Sequence, residues 1–106
     1  MKYTLSRFTV KQDAIKKAKR ALAELVYEIR RNEPRTLYIV FREESKSTFF
    51  TLFSFENEAA WRRHAQSRYV DRFVKKLLPA CEGKPLFLDL SLFASSRKQW
   101  VLEENH

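Results

Sequence analysis

Residues 35–55 read RTLYIVFREESKSTFFTLFSF. Two runs rich in β-branched and aromatic residues, RTLYIVFRE and STFFTLFSF, flank the short polar segment ESKS, the pattern of two strands joined as an antiparallel hairpin. Both faces of that hairpin are largely apolar. Leu37, Ile39 and Phe41 alternate with Tyr38 and Val40, and Phe49 and Phe53 alternate with Phe50 and Leu52. An antiparallel sheet with one face in water shows polar alternation, which is missing here. Both faces of the sheet are therefore expected to be covered.

Upstream of the hairpin, apolar residues at Ile15, Ala18, Leu22, Leu25, Val26 and Ile29 form a stripe of helical period between Asp13 and Asn32. Asp13 suits an N-cap or a first-turn acid, and Pro34 forces an end because the residue before proline is pushed out of the helical region. Such a helix is roughly 30 Å long, enough to cover one face of a small sheet. KYTLSRFTV, residues 2–10, alternates as a strand with Phe8 and Val10 on one side and Tyr3, Leu5 and Arg7 on the other. Downstream, Asn57 offers an N-cap to a helical region that carries Trp61, His64 and Ala65 on one side. Its second half carries Val70, Phe73, Val74, Leu77 and Leu78, and Ser67 marks a break between two pieces. Pro79 and Gly83 close this region, and KPLFLDLSLFA reads as a last strand, with Leu86, Leu88, Leu90 and Leu92 on one side and Phe87, Asp89, Ser91 and Phe93 on the other.

The order β-α-β-β-α-β is that of an α+β, ferredoxin-like plait with an antiparallel sheet and its helices on one face. Helices hide only that face. A second sheet from an identical chain would cover the other, so a homodimer with facing sheets is expected. The domain is expected over residues 1–95, with a tail at 96–106 in which Trp100 docks on the domain or on the partner subunit.

The totals agree with one small domain. The chain has 106 residues, 44% of them hydrophobic and 14% aromatic, which supports a packed core rather than disorder. No apolar run is long enough to span a membrane, and the N-terminal stretch lacks a signal peptide's apolar segment. With the single cysteine Cys81, neither an internal disulfide nor a multi-cysteine metal site is expected, and the expected location is the cytoplasm. The net charge of +8 raises the question of an acidic partner. Basic residues such as Lys16, Lys17, Lys19 and Arg20 fall on helix faces turned to water, so solubility is the preferred reading.

The run NEPRTLYIVF…FFTLFSFENEAAWRRHAQSRYVDRFVKKLLP resembles the antibiotic biosynthesis monooxygenase family of dimeric α/β-barrel proteins. The resemblance is carried by Glu33-Pro34 after the long helix, the aromatic hairpin, and Phe55-Glu56-Asn57-Glu58-Ala59 opening the next helix. His64, Phe73 and the opening RFTVK also match, and the likeness spans residues 3–93. Two kinds of departure stand out. Arg35 and Phe55 occupy positions where members usually show glycine and often tryptophan, and no proline follows Ser67.

The resemblance implies a cofactor-independent monooxygenase that acts with dioxygen on quinol-like or phenolic aromatics. Once deprotonated, such a substrate is electron-rich enough to react with dioxygen, so the protein supplies a base, a dry pocket and orientation. His64 is the expected base because its ordinary pKa lies near neutrality. Trp61, Tyr69 and Phe73 are expected to line the pocket, and Asp89, on a strand that reads as buried, to orient the histidine or the substrate. Each has a plain alternative: His64 as a structural neighbour of Trp61, Trp61 and Phe73 as core, Tyr69 with its ring inside and hydroxyl out, Asp89 at a sheet edge or paired with an arginine. Cys81 reads as inert.

No metal and no cofactor are expected. The haem-degrading proteins that share this barrel use a later-helix histidine and a first-strand asparagine. Those positions here are near Val74 and in Ser6-Arg7-Phe8, so haem is not expected. Two further classes compete. RNA-recognition domains share the element order, and KSTFFTLF supplies Lys46, Phe50 and Phe53, but Ser47 and Thr48 stand where glycine and an aromatic belong, so nucleic acid is not the expected partner. A non-catalytic dimer binding a small aromatic ligand is the other alternative.

Overall fold

The computed structural model describes residues 2–97, so Met1 and the tail from residue 98, including Trp100, lie outside the described residues. Along the chain come β1 (Lys2–Thr9), α1 (Ile15–Asn32), β2 (Leu37–Arg42), β3 (Thr48–Ser54), α2 (Glu58–Ala65), α3 (Arg68–Leu77) and β4 (Leu86–Ser91). The four strands form one antiparallel sheet in the order β2-β3-β1-β4. This is the ferredoxin-like plait, with its long non-local pairing between β1 and β3 at the centre.

Strand register decides which residues meet. Phe8 pairs with Phe49, Ser6 with Thr51, and Thr4 with Phe53. Tyr38 and Val40 of β2 join the same side through Phe53 and Thr51. The helices pack on this side. Phe8, Val10, Ala18, Leu22, Phe49 and Leu77 form the buried core, and the Phe8 and Phe49 rings stack at 5.7 Å between centroids. The Ser6 and Thr51 hydroxyls, buried in the same face, bond each other and so avoid the cost of unpaired polar groups.

α1 contributes Ala18, Ala21, Leu22, Leu25 and Ile29, the stripe expected from its period. Its start differs from expectation. Asp13 lies in a 3-10 turn over Gln12–Ala14, and the N-cap is Ala14, which makes no side-chain cap bond. At the other end the Glu33 backbone N–H reaches the Ile29 carbonyl at 2.7 Å, and Pro34 prevents a further turn. Asn57 caps α2 by accepting from the Ala60 N–H at 2.8 Å. Ser67 separates α2 from α3, its hydroxyl donating to the His64 carbonyl at 2.7 Å while accepting from the Val70 N–H at 3.3 Å. Gly83 takes a positive φ of 77° in the turn before β4, where a side chain would be strained.

The opposite sheet face carries Tyr3, Leu5, Leu37, Ile39, Phe41, Phe50, Leu52, Leu86, Leu88 and Leu90, and no helix among the described residues packs on it. The sequence placed β4 in the interior, and the structure corrects this: all six of its residues are exposed. The reason is topological. β4 is an edge strand beyond the reach of the helices, so among the described residues both of its faces are open. No helix among the described residues is long and apolar enough to cross a membrane.

Leu22 is fully packed between α1 and the sheet. Leu22→Ala is expected to destabilise the fold by about 2–5 kcal/mol in denaturant unfolding, whereas a loss under about 1 kcal/mol would contradict this packing.

Candidate functional site

At the end of α1 the chain turns sharply through Glu33 and Pro34 into β2, and this leaves the Glu33 side chain pointing under α2 and α3. Its carboxylate is only 10% exposed and His64 only 12%. His64 Nδ1 lies 2.9 Å from Glu33 Oε2 and 3.1 Å from Oε1. The Tyr69 hydroxyl donates to Oε2, and the Thr36 hydroxyl donates to Oε1 at 3.0 Å. One carboxylate thus takes donors from α2, from α3 and from the approach to β2. A carboxylate this far from water needs such donors, and removing one leaves an acceptor unsatisfied at about 1–3 kcal/mol.

Two aromatic rings lie against the imidazole as well. The Phe55 ring lies 4.8 Å from it between centroids, and the Tyr38 ring 6.3 Å. Tyr38 stacks on Phe53 at 5.3 Å, and Phe53 meets Phe55 edge to face at 5.8 Å. Among the described residues His64 Nε2 has no hydrogen-bond partner. Because no buried side-chain nitrogen or oxygen among the described residues lacks a partner, Nε2 reaches solvent. The ring is therefore anchored by one nitrogen and free at the other.

Three cavities border this cluster, the smallest of them, about 190 Å³, lined by Glu33 and Thr36. A larger one, about 640 Å³, opens between α2 and the bare helix-side face of β1 and β4. Phe53, Phe55 and Trp61 supply its apolar wall, and Lys2, Thr4, Asp89 and Glu58 its polar rim. Its volume suits a small organic ligand. A second, of about 370 Å³, is a groove between α1 and α3 that includes Tyr27, Tyr69 and Phe73.

The residues singled out from the sequence are not gathered into one pocket. Trp61 and Asp89 meet at the larger cavity, Tyr69 joins His64 through Glu33, and Tyr69 and Phe73 line the α1–α3 groove. Trp61 is 51% exposed and is no part of the core, while Phe73 packs against the core from α3. On α2 it is Ala60 that is buried and His64 half-buried, with Trp61 and Ala65 outside. Asp89 does not orient His64. It accepts from the Thr4 hydroxyl at 3.2 Å and pairs with Lys2 at 3.6 Å, a solvent-exposed contact of little energetic weight.

Glu33 is the residue that sequence reasoning missed as a site member. It entered only as half of a Glu-Pro pair, and its one local signal was an acid placed where the helix must stop. The stacking platform of an RNA-recognition domain is not assembled, since Phe50 lies on the open face and Phe53 beneath the helices. Among the described residues no three or more His, Cys, Asp or Glu side chains are placed to hold a metal ion.

Residues 1–76 match the family model described as antibiotic biosynthesis monooxygenase. The chain belongs to the antibiotic biosynthesis monooxygenase family. The matched stretch runs from β1 nearly through α3 and contains Glu33, Phe55, Trp61, His64, Tyr69 and Phe73, while Asp89 and β4 fall outside it. Solved structures share the fold at low identity. One named antibiotic biosynthesis monooxygenase is 20% identical with a TM-score of 0.78, covering 89% of this chain and 100% of its own. Two others, provisionally given the same name, come from Bacteroides thetaiotaomicron VPI-5482 and Caulobacter crescentus CB15. The first is 18% identical, TM-score 0.82, covering 92% of this chain and 93% of its own. The second is 17% identical, TM-score 0.79, covering 88% and 90%. No functionally curated protein matches the sequence.

Burial, the hydrogen bond to Glu33 and that carboxylate's charge together push the Tyr69 phenol up to about 12. Burial beneath the helices raises Tyr38 to about 12 as well, slightly opposed by the Thr51 hydroxyl. Both phenols bind their protons more tightly folded than unfolded. Their contribution to stability is complete below pH 10 and is lost as pH rises towards 12. Tyr69→Phe is expected to remove one of the late phenolate titrations seen by ultraviolet absorbance and to flatten the alkaline loss of stability. A folded protein whose phenols all ionise at their ordinary value would contradict the burial assigned here.

Proposed function

We propose that this family member is a cofactor-independent monooxygenase acting on quinol-like or phenolic aromatics, working in the cytoplasm as a homodimer whose sheets face each other. The observation that carries the activity is the state of His64: Nδ1 anchored on Glu33, Nε2 without a partner, and the ring packed on Phe55, which also lines the larger cavity. Family membership supports the reaction class, and the bare apolar sheet face supports the dimer. Residues 1–95 form the domain in this reading, and 96–106 a tail.

The chemistry follows from the parts. A flat aromatic lies against Phe53, Phe55 and Trp61, its oxygens towards Lys2, Thr4 and Asp89 at the rim. Once the Phe55 ring turns aside from between substrate and imidazole, Nε2 takes the acidic proton, and the imidazolium formed is stabilised by the Glu33 carboxylate on its other side. The electron-rich anion then reacts with dioxygen. One oxygen atom stays on carbon and the other leaves as water, with the substrate supplying all the electrons, so no external reductant enters. A dry wall of rings favours this sequence because it keeps solvent protons away from the anion.

A second reading has its own observation. His64 is not part of the cavity wall, and the Phe55 ring packs against it from the cavity side. A dimer that binds an aromatic ligand without turning it over fits that arrangement too.

The test is oxygen uptake by the purified protein with a panel of quinols and anthrones. Uptake above autoxidation, reduced about 10²–10⁴-fold in folded His64→Ala, is the expected outcome. Uptake that survives the mutation moves the base to Asp89, which stands at the cavity rim. Ligand-induced thermal stabilisation with no uptake by any substrate would replace the enzyme by the binding protein.

A further inference from the structure

The carboxylate beneath α2 determines more than where the imidazole sits. An ionised carboxylate only accepts hydrogen bonds, and both Glu33 oxygens lie within reach of His64 Nδ1, at 2.9 and 3.1 Å. We infer that Glu33 is a positioning residue that holds neutral His64 as its Nδ1–H tautomer, so that Nε2 carries the ring's only lone pair, and that Tyr69 and Thr36 keep the carboxylate in place for this task.

Geometry closes the alternatives one by one. Among the described residues, the groups against the imidazole are the Glu33 carboxylate and the tilted Phe55 and Tyr38 rings. Neither ring makes a hydrogen bond to Nδ1, and among the described residues no second carboxylate approaches it. Asp89, the other acid considered for this role, is engaged with Lys2 and Thr4. Glu33 cannot turn away readily. Thr36 holds Oε1 and Tyr69 holds Oε2, and the backbone at Glu33 is tied to Ile29 and to Thr36. The carboxylate is thus fixed from α3 and from the start of β2, while the ring it orients comes from α2. A histidine without such a partner prefers its proton on Nε2, which would leave the lone pair facing the wrong way, towards the interior.

This inference rests on the preceding reading only for its catalytic consequence, and its test does not need activity. The chain has two histidines, His64 and His106, so His106→Asn leaves a single imidazole for long-range proton–nitrogen NMR. Titrated until the ring is neutral, the protein is expected to give the nitrogen pattern of the Nδ1–H tautomer. Glu33→Ala should convert it towards the Nε2–H form. Glu33→Gln, whose amide oxygen still accepts, should retain Nδ1–H, and Tyr69→Phe should retain it too. An Nε2–H pattern in the otherwise unaltered protein would overturn the inference, as would an unchanged pattern in folded Glu33→Ala. If Glu33→Ala does not fold, the unaltered protein and Glu33→Gln still decide it. Where oxygen uptake is found, Glu33→Ala should lower kcat about 10²-fold with little change in KM. Absence of uptake would sink the oxygenase while leaving the tautomer result standing.

Discussion

A single half-buried carboxylate ties together the parts of this molecule that touch the candidate site. Glu33 sits where α1 has to stop, and it takes hydrogen bonds from His64 on α2, Tyr69 on α3 and Thr36 ahead of β2. Each of these elements could pack on the sheet without it. What the carboxylate adds is orientation, because hydrogen bonds are directional where apolar contacts are not. The price of burying its charge is offset only if all three donors are present, so the cluster is high-stakes in the way of any buried polar network.

The sheet beneath supplies the second constraint. On its helix side Phe8, Phe49, Phe53, Tyr38 and Val40 pack around the paired hydroxyls of Ser6 and Thr51, and the aromatic series Tyr38, Phe53 and Phe55 runs from beneath the helices to the cavity beside Trp61. Its other side is largely apolar and faces no helix among the described residues. A chain of this size that leaves so much apolar area open invites a partner of matching shape, and an identical sheet is the simplest surface that matches. The open helix side of β4 matters for a different reason. Because the helices stop short of it, Thr4 and Asp89 stand at a cavity mouth rather than in a core.

Most of the fold was legible in the sequence. The polar segment between two aromatic runs gave the hairpin, the period change after Asp13 gave α1, and Asn57 and Ser67 gave the starts of α2 and α3, because each of these signals is local chemistry acting on neighbouring residues. Two features were not legible. β4 reads as an interior strand since its leucines are as apolar as any core strand's, and only topology reveals that it is an edge. Glu33 reads as a loop acid because its three side-chain partners lie 3, 31 and 36 residues away along the chain. His64 could be noticed alone. Its relation to Glu33 could not, and neither could the separation of Trp61 from Tyr69 and Phe73, since helical spacing predicts faces but not which neighbour each face meets.

The central claim is that Glu33 and His64 form one unit whose energy is not the sum of its parts. A double-mutant cycle in unfolding stability, comparing Glu33→Ala, His64→Ala and the pair, measures that directly. A coupling of about 1–3 kcal/mol is expected, because either single change leaves the other side chain largely buried and without its partner. Additive losses, with a coupling below about 0.3 kcal/mol, would contradict it and leave His64 as an independent neighbour of Phe55.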